Sequence, residues 1–426
     1  MNEGEKIYSL AQQLFPICRS LTGEGVRKTL SLIKRQLPEL EIHEVPSGTR
    51  CFDWTVPDEW NINDAYIIDP DGNKIADFRK NNLHVVGYST PVDETVLLDE
   101  LQNHIYSLPD QEDAIPYITS YYKKHWGFCI TDKQRKALKQ GRYRVHIDSS
   151  LKPGHLTYGQ LIIPGRSSRE IFLSTYICHP SLANNELSGP CVTTYLAKWL
   201  QSLENRHYTY RIIFIPETIG SIYYLSRNLE YLKEHVIAGF NVSCVGDERT
   251  YSFMPSRQGN TLADRVAQHV LKHIYPDFKR YSFLNRGSDE RQYCSPGVDL
   301  PVVLVGRSKY GQYPEYHTSK DNMDFITPAG LSGGYNAIRQ CLICLEHNEK
   351  LKTGVLCEPQ LGKRGLYPLI SSKETTKQVR PMMDLIAYAD GTNDLLGIAD
   401  LINREMWSLF EIVNKLKSEN LLVICE

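Results

Sequence analysis

The sequence predicts an α/β protein. Its core is a mostly parallel sheet covered by helices on both faces, with an inserted small β-rich unit and a C-terminal winged helix-turn-helix. Three observations lead there. From residue 141 onward, apolar strands alternate with helical patterns, and strands apolar on both faces suit a parallel sheet covered on two sides. Residues 41–127 break that rhythm with Trp, Asp, Asn, Pro and Gly between short β-prone runs. Beyond residue 350, three short helical patterns are followed by a strand.

Taken in order, residues 4–37 read as two helices broken near Thr22-Gly23. In the inserted unit, 41–127, short runs such as AYIID, HVVGYS and ETVLL are separated by turns. FDWTVPDEWNIND alone holds two tryptophans and a proline. YRVHIDSSLK, LTYGQLIIPG, EIFLSTYICHP, YRIIFIPE, AGFNVSCVGD and LPVVLVG read as strands of the main domain, which spans 1–40 and 128–350. GPCVTTYLAKWLQSL, SIYYLSRNLEYLKEH, NTLADRVAQHVLKHI and AGLSGGYNAIRQCLICLEHN read as its helices. The tail, 351–426, opens with a Gly/Pro-containing link. PMMDLIAYAD, NDLLGIADLIN, REMWSLFEIVNKLKSEN and the strand LLVICE complete it.

With 426 residues, 41% hydrophobic and 23% charged, the chain can bury a sizeable core. A formal charge of -2 gives no general attraction to nucleic acid or anionic membrane. No apolar run reaches membrane-span length, and MNEGEKIYSLAQQL lacks the layout of a signal peptide. Eleven scattered cysteines, several within apolar runs, suit reduced thiols in a cytoplasmic protein. Cys341-Leu-Ile-Cys344 lies in a helical pattern without a second such pair, so it reads as core. From Leu361 to Glu426, eight Lys and Arg face nine acids, so the winged helix is not expected to bind DNA; an oligomer contact or packing suits it better.

Ligands in open parallel sheets bind outside the carboxyl ends of the strands, where polar residues gather here. His179 follows EIFLSTYIC, Glu217 follows RIIFIP, Asp247 follows FNVSCVG, and His317 lies in QYPEYHTSKDN beside Tyr316. Zinc takes neutral imidazole and carboxylate and keeps one position open when catalytic. Glu217 suits a general base. The polar loop SFLNRGSDERQY offers Asp289 and Arg291 for substrate contacts.

The histidine after the buried strand EIFLSTYIC, the NELSG helix start, the acid in PETIGS, the stretch GSDERQY to PGVDLPVV, and YHTSKD together resemble the M28-type zinc aminopeptidases. Six pieces, ICRSLTGEGVRKTL, SGTRCFDWTVPDEWNINDAYI, ICHPSLANNELSG, IPETIGSIYYL, MPSRQGNTLADR and YHTSKDN, carry a further likeness. The resemblance is closer still to bacterial aminopeptidase-like proteins of polysaccharide biosynthesis loci, and it spans nearly the whole chain. It implies a zinc-dependent amide hydrolase with one or two zinc ions, ligands His179, Glu186, Asp247 and His317, and Glu217 as base. Asn185, Asp289, Arg291 and Tyr316 would contact a short peptide or an aminoacyl or acylamino sugar precursor. The chain departs from the family pattern where a bridging carboxylate is usual, because Asn185 stands there. Glu217-Thr218 replaces a pair of glutamates, and Ser181 replaces a supporting aspartate. Two rival readings are a metal-poor, non-catalytic ligand-binding relative and a DNA-binding regulator with a repurposed sensor domain.

Overall fold

The computed structural model describes residues 1–366 and 373–425, and part of the expected Gly/Pro link therefore lies outside the described residues. The chain forms two compact units. One comprises Met1–Ala263 and Lys279–Asn336, the other Asp264–Phe278 and Ala337–Glu426.

The first unit is built on an eight-stranded sheet. Its centre is the parallel run Tyr208–Ile215, Ser167–Tyr176, Val236–Asn241 and Val302–Gly306. Antiparallel strands His155–Ile163 and Glu41–Pro46 extend one edge, while Ser252–Met254 pairs antiparallel at the other. The central strands are buried on both faces, as in EIFLSTY, where residues 170–176 are all buried. Helix Glu3–Leu14 starts with a reciprocal cap, Glu5 N to Asn2 Oδ1 at 2.9 Å and Asn2 N to Glu5 Oε2 at 2.8 Å. Helix Ser188–Ser202 begins flush against the sheet. A Cβ on Gly189 would lie 2.4 Å from Val242 O and 2.6 Å from Thr175 Oγ1, so only glycine lets the helix start there.

A second, four-stranded antiparallel sheet has the order Lys74–Asp77, Glu59–Ile68, Arg142–Lys152, Val92–Leu97. This corrects the expected bounds of the inserted unit at both ends. Glu41–Pro46 pairs with the main sheet, and Arg142–Lys152 is central to the smaller one. The latter strand alternates buried and exposed residues, as one-sided burial demands.

The second unit holds helices Lys373–Tyr388, Leu395–Leu401 and Phe410–Ser418 with an antiparallel sheet in the order Asp390–Asp394, Lys350–Thr353, Leu422–Cys425. The helix Leu262–Ile274, expected to serve the main domain, contributes most of its length here. His269 Nδ1 lies 2.6 Å from Asp400 Oδ1, Arg265 pairs with Asp394 at 2.6 Å, and the Met406 amide donates to His269 Nε2 at 3.0 Å. Cys341 and Cys344 are buried in this unit. Among the described residues no helix is long and apolar enough to cross a membrane.

Candidate active site

The strand Ser167–Tyr176 delivers Cys178 and His179 to the carboxyl end of the sheet, and Tyr208–Ile215 delivers Glu217 beside them. His179 Nε2 and Glu217 Oε2 are 3.8 Å apart. A cavity of about 260 Å³ opens on this pair. It is lined by Leu21, Cys178, His179, Glu217, Thr218, Ile219, Arg291 and His317, and by Trp54, Tyr117, Thr119, Tyr121 and Tyr122 from the inserted segment.

That segment is pinned to the loop carrying His317. Tyr117 N donates to His317 O at 2.8 Å, and Ile115 and Ser319 exchange bonds through Ile115 O and Ser319 Oγ. Pro116 and Thr318 form an antiparallel bridge. Tyr117 is thereby held between the two histidines, with ring centroids 5.1 Å from His179 and 5.0 Å from His317. Burial and the neighbouring His179 push His317 down to about 3, which keeps its ring neutral. Its Nε2 is buried without a hydrogen-bond partner.

Behind His179 lies a charged layer. His179 Nδ1 donates to Glu186 Oε2 at 2.8 Å, and Glu186 Oε1 is 3.5 Å from Nε of the fully buried Arg19. Arg19 also donates to His179 O at 3.0 Å and Leu14 O at 2.7 Å. Burial opposes the charged form of His179, but the bond to Glu186 and its charge outweigh this and hold the pKa above its ordinary value. A carboxylate on one ring nitrogen fixes the tautomer and frees the other nitrogen, the arrangement that orients metal-binding histidines.

Cys178, His179 and Glu186 are the one trio of ligand-type residues with atoms all within 4.8 Å of each other among the described residues. It is poorly suited to a cation. The Arg19 guanidinium already supplies the positive charge, and burial pushes the Cys178 thiol well above its usual range. The other side of His179 faces the cavity, where it meets the Glu217 carboxylate at 3.8 Å and shares the lining with the imidazole of His317. Two imidazoles and a carboxylate are ligand types that zinc takes, although the ligand atoms of these three are not gathered as closely as those of the first trio. Two ions need a bridging carboxylate, and Asn185 is an amide whose Nδ2 donates to Tyr176 OH at 2.7 Å.

Glu217 leads into a strained turn. Thr218 has φ 66° and ψ -80°, and Ile219 N donates to Glu217 O at 2.9 Å, which makes a γ-turn of the rarer, positive-φ kind. Asp289 Oδ1 accepts from Thr218 N and Ser221 Oγ, each at 2.8 Å, and Arg291 Nη2 donates to Thr218 Oγ1 at 2.6 Å. Burial and the charge of Glu217 push Asp289 up to about 8. Burial also raises Glu217, against the pull of His179.

Of the residues singled out in the sequence, His179, Glu217, His317 and Arg291 therefore share the cavity. Asn185, Glu186 and Asp289 are not among its lining residues. Tyr316 stacks on His317 with centroids 3.9 Å apart and is not in the lining either. Glu186 is turned toward Arg19 and His179 Nδ1, away from a ligand role on the cavity face. Asp247 is committed elsewhere. The strand ends at Asn241, and the following residues carry Asp247 to Ser308 and Asn184. Its oxygens accept from Ser308 N (2.8 Å), Ser308 Oγ (2.8 Å), Asn184 Nδ2 (3.1 Å) and Arg249 N (2.9 Å).

Three contributors lacked an assigned role in the sequence. Arg19 lies within ICRSLTGEG, and its pairing with Glu186 has no local signal. Asp321, within YHTSKDN, accepts from Asn184 N at 2.6 Å and Asn185 N at 3.0 Å and so holds the turn Ala183–Leu187. Glu290 braces the GSDER loop by accepting from Gly287 N and Ser288 N, each at 2.9 Å.

Comparison with known proteins places the chain. Residues 8–348 match the family described as "Domain of unknown function (DUF4910)", and residues 349–424 match a winged helix-turn-helix. A Clostridium acetobutylicum protein, provisionally named a polysaccharide biosynthesis protein with aminopeptidase-like domain, is 46% identical over 398 residues, covering 93% of this chain and 91% of its own. A crystal structure from Clostridium acetobutylicum, provisionally named a peptidase, superposes with TM-score 0.93 at 43% identity, over 99% of this chain and 96% of that one. A zinc aminopeptidase of Bacillus subtilis shares the fold at 13% identity and TM-score 0.57, over 80% of this chain and 94% of its own.

Proposed function

The chain belongs to the DUF4910 family and has an aminopeptidase-like fold followed by a winged helix, and on that premise we propose that it is a hydrolase of amide bonds that works with a single zinc ion. The observation that carries this reading is the unpartnered Nε2 of His317, in one cavity with His179 and Glu217. His179 and His317 would hold the ion. Bound there, zinc supplies Lewis acidity toward a carbonyl and makes water more acidic.

The chain's own residues supply the proton chemistry. Glu217 is the one carboxylate among the residues lining the cavity. It takes a proton from the attacking water as the C–O bond forms, and it returns the proton to the nitrogen as the C–N bond breaks. Asp289 beneath it holds the backbone that fixes Glu217 and, with a raised pKa, keeps a second negative charge away from the base.

Small-molecule pockets run from roughly 300 to 1,000 Å³. At about 260 Å³ this cavity takes a residue-sized group. That supports a short peptide, or an aminoacyl or acylamino group on a sugar precursor. The name of the Clostridium acetobutylicum relative favours the sugar precursor. Eleven free thiols support a cytoplasmic setting.

The test is metal content by mass spectrometry on protein purified without chelator, with His179→Ala, His317→Ala and Glu217→Gln beside it. One zinc per chain is expected, lost in both histidine variants and kept in Glu217→Gln, which loses turnover. Two ions would overturn the single-ion reading. No ion in folded protein would leave a non-catalytic ligand-binding relative.

A further inference from the structure

An aminopeptidase must accommodate the free ammonium of its substrate, and a neighbouring acid is the natural partner for that charge. The charges lining this cavity are different. Its one carboxylate, Glu217, is engaged beside His179, and its one permanent cation is Arg291. Asp289 is turned to Thr218 N and Ser221 Oγ.

Arg291 is under-used by the protein. Only Nη2 donates, to Thr218 Oγ1 at 2.6 Å, and Nε is buried without a partner. Among the described residues, no carboxylate lies within ion-pair distance of its guanidinium. A guanidinium kept beside a cavity with donors unspent matches a planar anion, because its fork fits a carboxylate with two parallel bonds. The same charge repels an ammonium brought to the same small space.

We propose that Arg291 anchors a carboxylate of the substrate, so that the cavity accepts N-acylated amino acids and similar amides with a free carboxylate in preference to peptides with a free amino terminus. This rests on the amide-hydrolase reading. Arg291 acts here as a specificity-determining residue: the carboxylate on the guanidinium sets the scissile amide toward Glu217 and His179. Tyr117 and Tyr121 line the same cavity and lower the polarity around the pair, which strengthens it.

Binding tests this without relying on turnover. N-acetylglycine, N-acetylalanine and N-acetylleucine are titrated into full-length protein by calorimetry, each beside its carboxamide and the corresponding free-amine dipeptide. The wild type is expected to bind the acids about tenfold or more tightly than the carboxamides or dipeptides. Arg291→Met should erase that preference, and Arg291→Lys should restore part of it, because charge survives while the fork is lost. Circular dichroism confirms that both variants are folded. Acetate and inorganic phosphate compete in parallel arms; displacement by phosphate alone would overturn the carboxylate assignment. Equal or tighter binding of the amine-bearing compounds, a preference unchanged in Arg291→Met, or no binding of any acid at millimolar concentration would overturn it as well. Repeating the titration on Glu217→Gln separates the two readings. Acid preference without hydrolysis in the wild type removes the hydrolase and leaves the anchor, while hydrolysis without acid preference does the reverse.

Discussion

His179 Nδ1 lies 2.8 Å from Oε2 of Glu186, and the far oxygen of that carboxylate faces the buried guanidinium of Arg19 at 3.5 Å. The charged partner that an active-site histidine needs is thus supplied from the seventh residue after it, and its neutralising cation comes from the loop after the first helix. Removing one member of a buried pair strands the other, at a cost of about 3–5 kcal/mol. Arg19→Met should therefore lower unfolding free energy by about that much in urea titrations. Adding Glu186→Gln should recover more than half. No recovery in the double variant would mean that Arg19 acts through its bonds to the Leu14 and His179 carbonyls alone.

Asp247 is expected to behave as a structural residue. Its carboxylate satisfies four donors from Ser308, Asn184 and Arg249. Asp247→Ala leaves buried donors unmet and should cost about 2–4 kcal/mol. Zinc per chain, measured on the folded fraction, should stay at the wild-type value. Loss of metal at unchanged stability would return Asp247 to the ligand set.

These two acids show where sequence reading stops. His179, Glu217 and His317 were legible because each follows a buried strand or sits in a polar loop near the carboxyl end of the sheet, where the fold class itself places sites. The direction of Glu186 was not, because it depends on Arg19, far away in the chain and in a segment with no chemistry of its own. Asp247 shows the limit of reading strand length from apolar runs: VSCVG is apolar enough to continue the strand, yet pairing stops at Asn241. The bounds of the inserted unit carried an overlooked signal. RYRVHID alternates polar and apolar residues, the mark of a strand with one wet face, whereas IFLSTYI is buried throughout.

Acid should loosen the attachment of the inserted unit. Glu59 accepts from Arg27 at 2.6 Å and 3.1 Å and from His155 N at 2.9 Å. Burial raises its pKa, but Arg27, His155 and Asn61 together outweigh that and hold it at about 2. The pKa of this carboxylate is lower folded than unfolded, so its stabilising contribution is complete above the ordinary glutamate range. It is lost as pH falls from about 4.5 toward 2. Wild-type unfolding free energy should fall across that window, and Glu59→Gln should flatten the fall. Parallel slopes in the two proteins would count against the assignment. Because Trp54, Tyr117 and Tyr121 of this region wall the cavity, quenching of tryptophan fluorescence by acrylamide should rise over the same window.

Thr218 concentrates the strain of the site. A β-branched residue at φ 66° is disfavoured by its own Cβ, at about 1–3 kcal/mol, and glycine removes that penalty. The turn persists because Asp289 holds its amide and Arg291 its hydroxyl. Thr218→Gly relieves the strain and gives up one hydrogen bond, worth about 1 kcal/mol. The variant should be as stable as the wild type or slightly more so. Its turnover should nevertheless fall, because Glu217 is aimed at His179 by the same turn, and a glycine there no longer fixes it. Asp289→Ala should reverse the pattern, losing stability and turnover together, since the strain stays and its clamp is gone. Urea titration and hydrolysis rates on the two variants read both effects. If Thr218→Gly lost stability as steeply as Asp289→Ala, the hydroxyl bond to Arg291 would outweigh the backbone strain, and the turn would be held by that side chain more than by the carboxylate beneath it.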